Sequence, residues 1–196
     1  SGPTDPDFLV MELVAGDGST LDRAELGRTL RHLHDQPLPP PGVVDPTSGS
    51  LSAIRERTGR RLDRLARSTG EELDLSLLED LDVERIDLGR TALLHMDLRP
   101  ENLVVVDGTA AAILDWGNAV VGHPALDLAR TAELGHLDRE LLAGYGSDPL
   151  AEVPQVVELL FRLDTAVMLA NVFREVAPDP ERARTQIART RQLCSD

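Results

Sequence analysis

The chain has no lysine: its 20 Lys-plus-Arg positions are all arginine. It has no G-x-G-x-x-G segment, so it carries no glycine-rich phosphate cradle of that kind. It has one cysteine, Cys194, close to its C-terminal end. A lone thiol excludes a disulfide framework within the chain and points to a reducing cytoplasm. No apolar run approaches the ~20 residues that a membrane-spanning helix needs. No signal-peptide pattern opens the chain. Positive charge is scarce: 34 acidic residues outnumber the basic ones, and the formal net charge is −14. Such a balance argues against a nucleic-acid partner. It draws cationic small molecules, although it also serves solubility alone.

What is present is enough for one domain, or a large part of one. The chain has 196 residues, of which 41% are apolar. The rest is organised around residues 93 to 118. Asp97 and Asn102 stand five apart in a loop containing Pro100. A β-branched run follows, then Asp107-Gly108, then a second apolar run that ends on Asp115. Two short strands with an Asp-Gly turn predict a hairpin, which folds Asp115 back beside Asn102. One carboxylate then faces a substrate hydroxyl, while an amide and a second carboxylate share a hard cation. Phosphoryl transfer from a nucleotide needs that set. Asn and Asp also cap loops by bonding local backbone. That explains one such residue readily, but not three at this spacing.

His95-Met96-Asp97-Leu98-Arg99-Pro100-Glu101-Asn102 resembles the catalytic loop H-x-D-x-x-x-x-N of kinases. Ile113-Leu114-Asp115-Trp116-Gly117 is similar to their metal-binding D-F-G segment, with Trp116 at the Phe position as a packing anchor. Gly122-His123-Pro124-Ala125-Leu126-Asp127-Leu128-Ala129 resembles the G-D-P-x-x-D-L-A of the aminoglycoside phosphotransferase branch, which includes choline, homoserine and macrolide kinases. The resemblance implies an α+β, mostly α-helical fold: a protein-kinase-like C-terminal lobe with short β-hairpins around the catalytic loop and no N-terminal lobe. Residues 1–18 are then a hinge strand and linker. Residues 19–196 are the helical lobe, with its catalytic loop at 95–102 and metal-binding segment at 113–118. Phe8 to Glu12 resembles the hinge strand, so the Glu12 carbonyl and Val14 amide would meet the adenine edge. An ordinary core strand accounts for the same run.

By the same resemblance Asp97 accepts the acceptor's hydroxyl proton late in transfer, and Asn102 and Asp115 hold Mg2+ against ATP or GTP. Arg99 either steadies the transferring phosphoryl group or pairs with an acid such as Glu101. His95 packs under the loop, and Asp127 is buried and bonds the loop backbone. Met96 replaces a usual glycine and His123 a frequent Asp. Kinases of this kind carry a glycine-rich loop and a lysine on a small N-terminal lobe. Their absence here suggests that this lobe precedes Ser1, comes from another chain, or is naturally missing.

Elsewhere the periodicity predicts helices. Ser19 or Thr20 caps one through Leu26, Leu30 and Leu33 to His34, which reads as a packing residue. Gln36 to Ser50 is loop. Leu51, Ile54, Leu62 and Leu65 mark a second helix, rich in arginine, whose basic face is either solvated or a phosphate patch. Leu73, Leu77, Leu78 and Leu81 mark a third helix or helix pair over 71–87, which helps shape the acceptor site in the family. Leu137 to Tyr145, Val153 to Val176 and a last arginine-rich stretch to Leu193 are helical too.

The sequence therefore reads as the large lobe of an ATP- or GTP-dependent phosphotransferase. Its acceptor is a hydroxyl on a small, amine-bearing molecule, as in antibiotic resistance, and the fragment alone is nearly inactive. Two other readings stand beside it: an inactive kinase-like scaffold, and a biosynthetic kinase acting on a peptide hydroxyl.

Overall fold

A computed structural model describes residues 13–40, 42–70, 73, 78 and 82–195. Helix α1 spans Arg23–His34 and α2 spans Leu51–Thr69. Strands β1 (Ala92–Leu94), β2 (Leu103–Val106), β3 (Thr109–Ile113) and β4 (Val120–Gly122) follow. Helices α3 (Ala125–Glu133), α4 (Arg139–Tyr145), α5 (Gln155–Asn171) and α6 (Pro180–Ser195) complete the chain.

Helix α1 is capped by Asp22, whose carboxylate accepts the Glu25 N–H at 2.6 Å. Ser19 and Thr20, the expected caps, lie outside the helix. Ser19 Oγ accepts instead from Gly108 N at 3.0 Å, and the Asp17 carboxylate accepts from Asp107 N at 2.7 Å. These bonds tie the segment before α1 to the hairpin turn. The Asp107 amide, helped by Ser19, lowers the Asp17 pKa to about 2. Helix α2 keeps its expected start: Ser50 Oγ accepts from Ala53 N, and Gly70 ends the helix at φ 73°.

The arginines of α2 divide in two. Arg57 and Arg61 turn inward and close on Asp164 of α5, which also accepts from Thr58 Oγ1. For these two, the expectation of a phosphate patch or solvated face is corrected. A carboxylate only 1% exposed takes both cations, because a buried charge needs partners. Arg60 stays outside, where it meets Glu56.

Helix α5 is the axis of the core. Val157, Leu160, Phe161, Ala166, Val167 and Ala170 are fully buried, and α2, α3 and α6 pack around it. It ends in a π-helical turn, Val172–Val176. Helix α1 crosses α4 closely through Gly27 and Gly144. A Cβ at Gly144 would lie 1.9 Å from Ala24 O, and one at Gly27 2.0 Å from Leu141 O. Gly144→Ala is therefore expected to force the two helices apart. The cost is ~1–3 kcal/mol, read as a lowered urea midpoint with an unchanged slope.

The strands form two antiparallel pairs. β1 pairs with β4. β2 and β3 form the expected hairpin, with Asp107 (φ 51°) and Gly108 (φ 73°) both left-handed at the turn. The expected hinge positions Phe8 to Glu12 lie outside the described residues, and Leu13 and Val14 form no strand. Most of 71–81, including Leu77 and Leu81, lies outside them too. Val83–Arg85 makes one 3-10 turn, and Leu78 is buried in the core. Among the described residues, no helix is long and apolar enough to cross a membrane.

Candidate active site

The loop after β1 is held from beneath. Asp127, in the first turn of α3 and 1% exposed, accepts from His95 N at 2.9 Å and Met96 N at 2.8 Å. Its third partner is His34 Nε2, at 3.1 Å. His34 Nδ1 lies 2.9 Å from the Tyr145 hydroxyl. Burial alone would raise the Asp127 pKa. The His34 hydrogen bond and charge, with the two amides, outweigh it and hold the carboxyl below its ordinary value. His34 thus joins α1 and α4 to the loop through Asp127. Met96 takes φ 65° while its side chain is buried, so the usual glycine of the resemblance corresponds here to a left-handed backbone position.

His95 links the loop to the end of the hairpin. Its Nδ1 accepts from Asp97 N at 3.3 Å, which leaves Nε2–H to donate to Leu114 O at 2.8 Å. Trp116 meets the imidazole edge-on, with ring centroids 4.9 Å apart. Trp116 is itself 40% exposed, so it caps His95 from the solvent side rather than anchoring the core.

Asn102 ends a 3-10 turn that starts at Pro100. Its Nδ2 donates to Asp97 O at 2.8 Å and Asp97 Oδ2 at 3.1 Å, while its backbone oxygen accepts from Leu114 N at 2.8 Å. Leu103 pairs with Ile113. Asp97, Asn102 and the residue after Leu114, Asp115, are thereby brought to one locus. Asp115 sits at φ 59°, exposed, and its carboxylate has no hydrogen-bond or ion-pair partner among the described residues. A non-glycine residue held in that region is a common mark of functional strain.

Arg99 is extended (φ −146°, ψ 162°), as the following proline requires. Its guanidinium approaches Asp97 Oδ2 at 3.5 Å rather than Glu101. Its Nε is buried and unpartnered among the described residues. Val14 borders a cavity of about 630 Å³ that Pro100, Leu103, Val104 and Val105 also line. Glu12 lies outside the described residues. The positions expected to bind metal offer oxygen: Asn102 Nδ2 is committed to Asp97, which frees Oδ1, and the Asp115 carboxylate is unpaired among the described residues. Those donors fit a hard cation. Among the described residues no cluster of three His, Cys, Asp or Glu side chains could hold a metal.

Arg130 escaped the sequence reading. It stands three residues after Asp127, on the same face of α3, and its Nε is buried without a partner among the described residues. Burial lowers its pKa, opposed by the charges of Asp164 and Asp97. The i,i+3 spacing from Asp127 was the available signal.

His123 is 7% exposed, and its Nδ1 accepts from Ala125 N at 3.2 Å, the cap that an Asp there would supply. Burial holds its pKa below 6.5; the Glu152 charge opposes this, and the Arg90 and His34 charges add to it. Below pH 6.5 the unfolded chain then binds the more protons at this group. Its stabilising effect is intact above that pH and lost as the pH falls below it. Thermal unfolding between about pH 7.5 and 5 is expected to show this loss, and His123→Asn to flatten it.

The model of the phosphotransferase enzyme family (APH) matches residues 6–160. No curated protein matches the chain in sequence. Among solved structures, a Ralstonia eutropha JMP134 protein assigned as an aminoglycoside phosphotransferase is 18% identical, with a TM-score of 0.55 over 94% of this chain and 69% of that one. A choline/ethanolamine kinase family protein from Mesorhizobium loti is 19% identical, with a TM-score of 0.53 over 89% of this chain and 61% of that one. The chain thus spans roughly two thirds of the length of the solved structures it resembles, and their likeness establishes a kinase-like α+β fold. With the family model covering most of the chain, and with the loop, hairpin and α3 meeting at one locus, the chain belongs to the phosphotransferase enzyme family.

Proposed function

We propose that the chain is the large lobe of a phosphotransferase that moves the γ-phosphate of ATP or GTP to a hydroxyl of a small, amine-bearing molecule. The observation that carries this reading is the Asn102 side chain, which donates to Asp97 while its backbone receives the strand end that leads into Asp115. Asp97 would orient the acceptor hydroxyl and take its proton late, since positioning outweighs basicity in a loose transition state. Asn102 Oδ1 and Asp115 would hold Mg2+, which when bound neutralises charge on the nucleotide phosphates. Arg99, free of Glu101, would leave Asp97 for the transferring phosphoryl group. The Val14 amide would meet the adenine edge at the cavity lined by Leu103 and Val105, and the Glu12 carbonyl is the other hinge position that the resemblance names.

The net charge of −14 favours a cationic acceptor. With no lysine and no glycine-rich loop in the chain, the groups that grip the phosphates would come from a small lobe outside these 196 residues, in cis or from a partner. A reducing cytoplasm suits the single, buried Cys194. The test is nucleotide consumption by the chain together with that lobe, across amine-bearing acceptors such as aminoglycosides and choline-like molecules. One acceptor should raise turnover well above the acceptor-free rate. No increase with any acceptor would favour a kinase-like scaffold instead.

A further inference from the structure

A second cavity lies at the N-terminal end of α2, away from the catalytic loop. Its volume is about 420 Å³, within the ~300–1,000 Å³ of small-molecule sites. Polar groups line it: Ser50, Ser52, Asp87, Arg90, Thr91 and His123. One wall is fixed by close backbone contact. Gly49 N donates to Val121 O at 3.1 Å, and a Cβ at Gly49 would lie 2.4 Å from that oxygen.

Several donors meet here. His123 is 93% buried; its Nδ1 is already taken by Ala125 N, so in the neutral ring Nε2 carries the proton. That Nε2–H has no partner among the described residues and belongs to a side chain that lines the cavity. Arg90 uses NH2 for Asp35, at 2.9 Å, and keeps its other donors. The first turn of α2 contains no acid. Ser50 caps Ala53 N, while the Leu51 and Ser52 amides have no partner among the described residues. Two acids oppose an anion: Glu152, whose charge reaches His123, and Asp87, whose carboxylate is exposed and accepts from Gly89 N at 2.8 Å.

An unpartnered imidazole N–H on a largely buried side chain, a guanidinium and the open amides of a 19-residue helix are a donor set for an oxyanion. We propose that this cavity binds the carboxylate or phosphate group of a small molecule, held by His123 Nε2, Arg90 and the first amides of α2. Occupancy bears on the active site, because His123 and Pro124 immediately precede α3, whose Asp127 holds the backbone of the catalytic loop.

The test is a titration of the chain with inorganic phosphate, and separately with acetate, followed by 1H–15N NMR at the Leu51 and Ser52 amides. Saturable shifts are expected with at least one anion, and the one that binds identifies the ligand as phosphoryl or carboxylate. His123→Asn keeps an acceptor for Ala125 N and deletes the Nε2 donor. Arg90→Gln removes the cation at a partly exposed position. Each is expected to weaken binding by about tenfold. The proposal is overturned if neither anion saturates these amides, or if both variants bind as tightly as the native chain. Phosphate held at Asn102 and Asp115 instead would leave the Leu51 and Ser52 signals in place, and that too would overturn it.

Discussion

Asp97→Ala is expected to lower kcat by about a thousandfold while leaving thermal unfolding nearly unchanged. The magnitude follows from what one positioned proton acceptor contributes, ~10²–10⁴-fold. The fold is spared because the Asp97 side chain is partly exposed and belongs to no core cluster. Its loss leaves Asn102 Nδ2 bonded to the Asp97 backbone oxygen, which the substitution retains. Arg99 loses only a 3.5 Å contact. Steady-state turnover with the best acceptor, set beside a melting curve of the same preparation, reads both parts. Unchanged turnover would remove Asp97 from the mechanism.

The second large effect is on stability. Asp127→Ala strands three donors in a dry interior: the His95 and Met96 amides and His34 Nε2–H. Removing one partner of a buried charged network costs ~3–5 kcal/mol, a large share of the ~5–15 kcal/mol that keeps a domain folded. A urea melt should show the loss, and turnover should fall as well, since the loop that presents Asp97 hangs from these bonds. The pH dependence has a definite sign. Asp127 and Asp164 are both held below 3.8 by their partners, despite burial acting the other way. The stability they carry is present above 3.8 and lost as the pH falls below it through their lowered values.

The β2–β3 hairpin was legible because its turn is local. A two-residue Asp-Gly turn starts the pairing at Val106 and Thr109, and a one-residue shift between Val104 and Val105, which no local cue announces, then pairs Leu103 with Ile113 and brings Asp115 beside Asn102. The helices were legible from apolar spacing, as in α1, where Leu26, Leu30 and Leu33 all face the core. The start of α1 was not. Ser19 has the right chemistry for a cap, but the hairpin turn 89 residues away claims its hydroxyl. Arg57 and Arg61 looked like surface charge because their partner, Asp164, is more than 100 residues distant in sequence. His34 read as packing, yet it also orients Asp127, a task that exists only once α1, α3 and α4 have met. Arg130 escaped too: its i,i+3 spacing from Asp127 was visible, but the charges of Asp164 and Asp97 that reach it come from segments more than 30 residues away. Long-range polar pairing is the part of this fold that residue patterns do not encode one segment at a time.

The central claim is that Asp97, Asn102 and Asp115 serve one cation–nucleotide locus. The most direct test is paramagnetic broadening by Mn2+ in the presence of nucleotide, measured at the Asn102 side-chain amide and the Asp115 backbone amide. Both signals are expected to vanish at substoichiometric Mn2+, while those of α6 remain sharp. If both stay sharp with nucleotide bound, or if broadening centres elsewhere, the three residues do not form that site and the chain does not transfer phosphate by way of Asp97.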